Sequence, residues 1–324
     1  MDDLSRKIIN SIQLEFPIDR EPFSILGKKL GVTSDDIIDR IKGLKKTGVL
    51  NQIGPVINAR RLGYRITLVA ANIDEANVDD AGRIMAEHPG VGHCYKREHV
   101  FNLWLTLSLP PGSSIVDELM NIKDLTGAEA VFHSPAVRTF KIGAYFDATG
   151  EGCLEPADSS DIKNGNGSDF LSEIDKKVLN GLQAVFPLTN RPFDVYAQSL
   201  NMDTDDLLER CISLKQRGII RRYSALIRHH LIGYVANAMV CWNVSPDLVS
   251  SVGERLSAEP LVSHCYERKI NQYWRYNMFC MMHAYSRDTC YGIVERLAKN
   301  CNIEDYVILF STKEYKKSRV FYSV

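Results

Sequence analysis

An α+β fold repeated in tandem is what this sequence predicts, and three observations carry it. Long stretches of the chain match later ones at a near-constant offset. Each copy opens on three helical patterns, and each closes on an alternation of short strands and helices. "KKVLNGLQAVFPLTNRPF" (176–193) aligns with "RKIINSIQLEFPIDREPF" (6–23), and "LKQRGIIRRYSALIRHHLIGY" (214–234) with "LKKTGVLNQIGPVINARRLGY" (44–64), both at an offset of 170. After a one-residue slip, "EPLVSHCYER" (259–268) matches "HPGVGHCYKR" (88–97). A four-residue insertion near 270–275 precedes the match of "YNMFCMM" to "FNLWLTL". Between the copies, residues 147–169 are rich in Gly, Ser, Asp and Asn without apolar period, which predicts a flexible linker.

The elements follow in order. Leu4, Ile8, Ile9 and Ile12 recur at helical spacing; Phe23, Leu26 and Leu30 make a short second helix. Thr33 or Ser34 caps a third helix carrying Ile37, Ile38, Ile41 and Leu44. Gly31 and Gly48 end these helices, as Gly218 does in copy two. The tight turn between the last two predicts a helix-turn-helix. The rest of copy one reads strand (66–73), helix (79–87), strand (91–98), strand (101–109), helix (114–125) and strand (128 onward). That order is the ferredoxin-like βαββαβ. The expected domains are therefore helix-turn-helix (1–60), βαββαβ (61–146), linker (147–169), helix-turn-helix (170–230) and βαββαβ (231–324), with the two sheets packed as a pseudo-twofold pair.

Composition narrows the function classes. The chain has 324 residues, 45% hydrophobic and 24% charged, with a formal net charge of −1. There is no cationic excess of the kind that attracts nucleic acid or anionic lipid. No apolar run approaches the roughly 20 residues that cross a bilayer, and the opening MDDLSRKIIN lacks the shape of a signal peptide. The eight cysteines form no CxxC pair and read as reduced, buried thiols, so a cytoplasmic protein is expected. GxGxxG, Walker, HExxH and GxSxG motifs are absent, and no zinc-type spacing occurs.

A helix-turn-helix suggests DNA, but its third helices begin "TSDDIIDR" (33–40) and "DTDDLLER" (203–210). Asp35, Asp36, Asp39, Asp203, Asp205, Asp206 and Glu209 would face phosphates, whereas DNA affinity rests on cation–phosphate contacts. Acidic residues in a first turn also complement the helix dipole. Taken together, the two copies make DNA an unfavoured partner and the helices structural.

The chemistry concentrates in the repeated His-Cys-Tyr-x-Arg. Strand alternation places His93, Tyr95 and Arg97 on one face and Cys94 and Lys96 on the other; His264, Tyr266 and Arg268 group likewise. On the next strand, Leu103, Leu105 and Leu107 suit a helix-covered side, leaving Asn102, Trp104 and Thr106 opposite, matched by Asn277, Phe279, Met281 and His283. Such faces would line a cavity suited to a large, flat, polyanionic ligand. Satisfied sheet histidines and solvated arginines are the alternative, which duplication of the whole stripe disfavours. His229 and His230 cannot share one face of a strand, His88 reads as surface, and His99 and His133 have no counterpart in copy two. Arg138 and Lys141, matched by Lys313 and Lys316, are either acid-binding or a solvated edge.

A helix-turn-helix followed by βαββαβ resembles the Lrp/AsnC family of regulators. More specifically, "FPLTNRPF" with "FPIDREPF", the paired "HCYxR", "FNLWLTL", and "SHCYER…YNMFCMMHAY" followed by "STKEYKK" resemble the siroheme decarboxylases, with both related subunits fused in one chain. The resemblance covers all but the linker. It implies a carboxy-lyase that non-oxidatively removes CO2 from two acetate side chains of siroheme, giving 12,18-didecarboxysiroheme for alternative haem or haem d1 biosynthesis. It implies no added cofactor, the iron belonging to the substrate. The partners implied are siroheme and didecarboxysiroheme, with a pseudo-dimer inside the chain and further homodimerisation left open. For the site it implies His93, His264, His283, Tyr95 and Tyr266 as catalytic groups, with His264 or His283 as ligand to the substrate iron or as proton donor. Arg97, Arg268, Trp104, Trp274, Arg275, Arg138, Lys141, Lys313 and Lys316 would bind substrate. The loop "KINQYWRYN" departs from the proline-rich stretch of the pattern, and His283 against Ser108 makes the two pockets unequal. A ligand-sensing transcription regulator and a non-catalytic tetrapyrrole carrier are the alternatives.

Overall fold

The computed structural model describes residues 1–143, 145–149 and 171–324. In chain order the elements are α1 (Asp3–Leu14), α2 (Pro22–Leu30), α3 (Ser34–Lys46), β1 (Leu50–Ile57), β2 (Arg65–Asn72), α4 (Val78–Glu87), β3 (Val91–Arg97), β4 (Leu103–Leu109), α5 (Ile115–Thr126) and β5 (Ala130–Ile142). Copy two repeats them as α6 (Glu173–Leu182), α7 (Pro192–Ser199), α8 (Thr204–Gln216), β6 (Ile220–Ile227), β7 (Ala236–Trp242), α9 (Val249–Ser257), β8 (Val262–Arg268), β9 (Met278–Ala284), α10 (Arg287–Cys301) and β10 (Tyr306–Lys317). The elements do not sort by copy. One compact unit holds both helical triplets with 145–232 and 321–324; the other holds 64–144 and 233–320.

In the helical unit, Thr33 caps α3 through a capping box with Asp36, and the Thr33 hydroxyl holds the Asp36 carboxyl below its usual range. Asp203 caps α8 in the same role. The two FPxxxxPF stretches acquire a structural reason. Pro22 and Pro192 start α2 and α7, where a missing N–H costs nothing. Phe16, Phe23, Phe186 and Phe193 meet around Tyr223, with Phe16 and Phe186 edge-to-face at 5.0 Å. Such a pair is worth about 0.5–1.5 kcal/mol beyond its buried area. Strands β1 and β6, which the helical reading of this region left unassigned, pair antiparallel and join the two triplets. His229 and His230 sit on a 3-10 turn rather than a strand, and His229 is buried against Phe146. Of the expected linker, residues 150–169 lie outside the described residues. At its start, Asp147, Ala148 and Thr149 are tied to α1 through Asn10.

The second unit contains the two βαββαβ motifs, and their sheets are joined to each other at both edges. The strands close into a barrel of order β10-β3-β4-β2-β5-β8-β9-β7. The long strands β5 and β10 make the closure. The first half of β5 pairs β2 of its own copy and the second half pairs β8 of the other. β10 likewise pairs β7 and then β3. Each exchanged end is fixed by an aromatic ring on a helical glycine. Tyr315 covers Gly82 of α4 and Phe140 covers Gly253 of α9; a Cβ at either glycine would lie 2.4 Å from the ring. Outside the barrel, each copy has its own helix-covered core. Val69, Met85, Cys94, Leu103, Leu105 and Leu107 are among the residues of the first, and Val240, Trp242, Leu256, Cys265 and Met282 among those of the second. Seven cysteines are buried free thiols; Cys153 lies outside the described residues.

Candidate functional site

Inside an eight-stranded barrel there is room for packed side chains or one ligand. Trp104, Phe101, Phe132, Phe279 and Trp274 pack together there with Leu68, Met239 and Leu309. Trp104 Nε1 donates to the Phe101 carbonyl at 2.7 Å, and Trp274 stacks on Phe132 at 5.7 Å. Both tryptophans of the expected site are thus interior, as aromatic wall. The loop before Trp274 is a tight Asn271–Trp274 turn.

The two stripes also face inward, and they begin alike. On β3 the His93 and Tyr95 rings lie 6.4 Å apart and 11° from parallel; on β8, His264 and Tyr266 lie 6.1 Å apart at 26°. Each arginine then stacks on its tyrosine, Arg97 at 5.5 Å and Arg268 at 4.9 Å. Each also crosses the copy boundary: Arg97 donates to the Leu309 carbonyl at 2.8 Å, and Arg268 to the Ser134 carbonyl at 2.7 Å. Ser134 and Leu309 are equivalent positions of β5 and β10. Arg97 is 4% exposed, and burial pulls its pKa down to about 10. Among the described residues its Nε has no hydrogen-bond partner. A buried guanidinium in that condition favours an anion.

Beyond this common frame the copies diverge. On β3, His93 Nδ1 lies 3.3 Å from Thr106 Oγ1, and burial with Lys317 nearby holds its pKa down at about 4. Tyr95 donates to Glu314 at 3.2 Å; burial, then that carboxylate, push its pKa well above the usual value. On β8, Thr139 takes the place opposite Tyr266 and Ile142 that opposite His264. Ser263 Oγ lies 3.0 Å from Nδ1 of both His264 and His283. Ser263 and His283 are each 7% exposed. Alternation hid Ser263, because both copies carry a β-bulge at this point, between Val262 and His264 and between Val91 and His93. A bulge re-aims the side chain it contains. Glu314 was hidden because its partner belongs to the other copy.

Several expected site residues lie elsewhere. Arg275 forms a two-pronged surface pair with Asp305 at 2.8 and 2.9 Å. Arg138 donates to Ser250 at 2.6 Å and stacks on Phe140; Lys141 donates to the Glu259 carbonyl at 3.0 Å. Lys313 pairs with Asp79 at 3.0 Å and Lys316 donates to the His88 carbonyl at 3.0 Å. Arg138, Lys141, Lys313 and Lys316 fasten the exchanged strand ends to the other copy's helix and to the loop that follows it. Asn102 and Asn277 bond loop backbone at Ile73 and Val244 instead of lining the interior. His88 is half-buried on Glu118 at 3.0 Å rather than free at the surface. His99 meets Trp274 edge-on at 5.2 Å, and His133 lies 3.3 Å from Thr67. No group of three or more metal-ligating side chains occurs among the described residues. No described helix is long and apolar enough to cross a membrane.

Comparisons with known proteins bear on the fold and the family. The AsnC-like ligand binding domain matches residues 61–141 and 231–316, and the siroheme decarboxylase NirDL-like HTH domain matches 5–50 and 175–221. The fold and site therefore define a tandem AsnC-like ligand-binding chain with decarboxylase-type helix-turn-helix domains. A siroheme decarboxylase of Hydrogenobacter thermophilus is 35% identical over 98% of this chain and 94% of its own length. The crystal structure of the siroheme decarboxylase NirDL superposes with a TM-score of 0.72 at 33% identity, covering 99% of this chain and 94% of that one. A second NirDL structure, in complex with an iron-uroporphyrin III analogue, gives 0.72 at 31% identity, with 99% and 95% covered. The chain belongs to the siroheme decarboxylase family.

Proposed function

We infer that this chain is a carboxy-lyase that takes CO2 from acetate side chains of siroheme, and that the two stripes do the work. The observation that carries the assignment is the pair of arginines, one per copy, each set in line with a tyrosine and a histidine inside the barrel. The NirDL structure that holds an iron-uroporphyrin analogue supports a tetrapyrrole as the ligand class.

Chemically, the C–C bond to the carboxylate breaks, CO2 leaves, and the electron pair stays on the side-chain carbon, where the macrocycle spreads it. One proton then converts that carbon to a methyl group. Loss of a buried negative charge is favoured where water is scarce. Arg97 and Arg268 hold carboxylates and fix the register of the ring. Their backbone anchors, Leu309 and Ser134, keep them from following the departing charge. His264 and His283 move the proton, and Tyr266 stands beside them as a hydrogen-bonding wall. Positioned proton transfer of this kind contributes about 10²–10⁴-fold. The reaction is redox-neutral, so its balance calls for no added cofactor.

Anaerobic incubation of the pure protein with siroheme, followed by mass spectrometry, tests the assignment. The expected product has lost two CO2. Retention of an unaltered tetrapyrrole would make the protein a carrier, and salt-sensitive binding to its own promoter DNA would make it a regulator.

A further inference from the structure

The serine between the two histidines has a proton count that its partners determine. Ser263 Oγ has three neighbours: Nδ1 of His264 at 3.0 Å, Nδ1 of His283 at 3.0 Å, and the Met281 carbonyl oxygen at 3.2 Å. A hydroxyl offers one O–H donor and two lone pairs. The carbonyl can only accept, so it takes the hydroxyl proton. The two lone pairs then remain for the rings, and each Nδ1 must bring an N–H. No other distribution satisfies all three partners, and at 7% exposure a missed bond is costly. The bulge sets this up. It turns Ser263 to the side of its neighbour His264, and Gly143 N–H holds the bulged carbonyl at 2.9 Å. The equivalent bulge in copy one contains Gly92, with Ser108 in the place of His283, so it has neither the hydroxyl nor the second ring. A Cβ at Gly92 would come within 3.3 Å of the Ser318 carbonyl.

We propose that Ser263 is a positioning residue that fixes His264 and His283 together in the Nδ1–H tautomer, so that each neutral ring takes up a proton only at Nε2 and, once protonated, returns it from there. Free imidazole favours no such pairing; the serine imposes it on both rings at once. The proton that reaches the new methyl group is therefore first acquired at Nε2 of one ring. This assignment builds on the decarboxylase reading for its use, but not for its existence.

Nitrogen NMR of the full chain with 15N-labelled histidine, without tetrapyrrole, tests it. Signals are assigned through His264→Gln and His283→Gln. Both rings are expected as Nδ1–H in the wild type. Ser263→Ala is expected to release at least one to Nε2–H, and Ser263→Thr to keep both. A wild-type spectrum with either ring as Nε2–H overturns the proposal, as do unchanged tautomers in a folded Ser263→Ala. With siroheme, Ser263→Ala is expected to lower kcat by about 10–100-fold at similar KM, with recovery in Ser263→Thr. Equal kcat in wild type and Ser263→Ala removes the positioning role. Should the wild type show no turnover, the decarboxylase reading falls while the tautomer result stands.

Discussion

The stripe on β8 gathers two imidazoles around one serine, whereas the stripe on β3 sets its tyrosine against Glu314 and its histidine beside Lys317. The backbones are equivalent down to the bulge, and the arginines use equivalent carbonyls. Duplication thus preserved the arginine anchors and let the groups around the histidines and tyrosines drift. The Glu314 carboxylate next to Tyr95 is a poor neighbour for a polyanion. On the proposed function, acetate turnover is therefore expected on the β8 side, where Thr139 takes the place of Glu314.

The sharpest way to break that comparison is to remove the histidines one at a time. His264→Ala and His283→Ala should each lower the anaerobic decarboxylation rate by about 100-fold or more, and His93→Ala by less than about tenfold. Equal losses on both strands would make the sites equivalent. Next in size, Arg268→Ala should raise KM by about 10–100-fold, the range for a hydrogen bond to a charged group. An unchanged KM would remove its anchoring role. The shared frame should respond symmetrically. Gly82→Ala and Gly253→Ala each force a ring aside and should cost about 1–3 kcal/mol in urea unfolding; a one-sided effect would show that one seam alone carries closure.

A pH prediction isolates the β3 side. His93 has a native pKa of about 4 against about 6.5 when unfolded, so in that window the unfolded chain binds the extra proton. Stability falls as pH falls from about 6.5 to about 4, by on the order of 3 kcal/mol, and levels off below. His93→Asn should flatten part of that slope between urea midpoints at about pH 7 and about pH 4.5. The smallest effect belongs to Arg275. Its partner is the exposed Asp305, so Arg275→Ala should leave turnover unchanged. A loss of activity would return it to the site.

How much of this the sequence disclosed depends on the range of the interaction. Alternation sorted His93, Tyr95 and Arg97 from Cys94, and Trp104 from Leu103 and Leu105, because both strands are regular there. It gave no role to Ser263, since a bulge breaks the period of two at that residue. It could not place Arg138, Lys141, Lys313 and Lys316, whose partners lie on the other copy's helix and connecting loop. Arg275 went astray through distance along the chain, as Asp305 is 30 residues away in the same copy. Barrel closure was equally hidden, because nothing local to β5 or β10 says that half of each strand pairs with the opposite copy.

That exchange has a consequence for the order in which the protein is made. The amino-terminal copy leaves the ribosome with the outer half of β5 and one side of β3 unsatisfied, since their partners β8 and β10 are still to be translated. Open strand edges are templates for association with other chains. The nascent first half therefore waits for its own sequel, and the final residues synthesised in β10 are the ones that seal it.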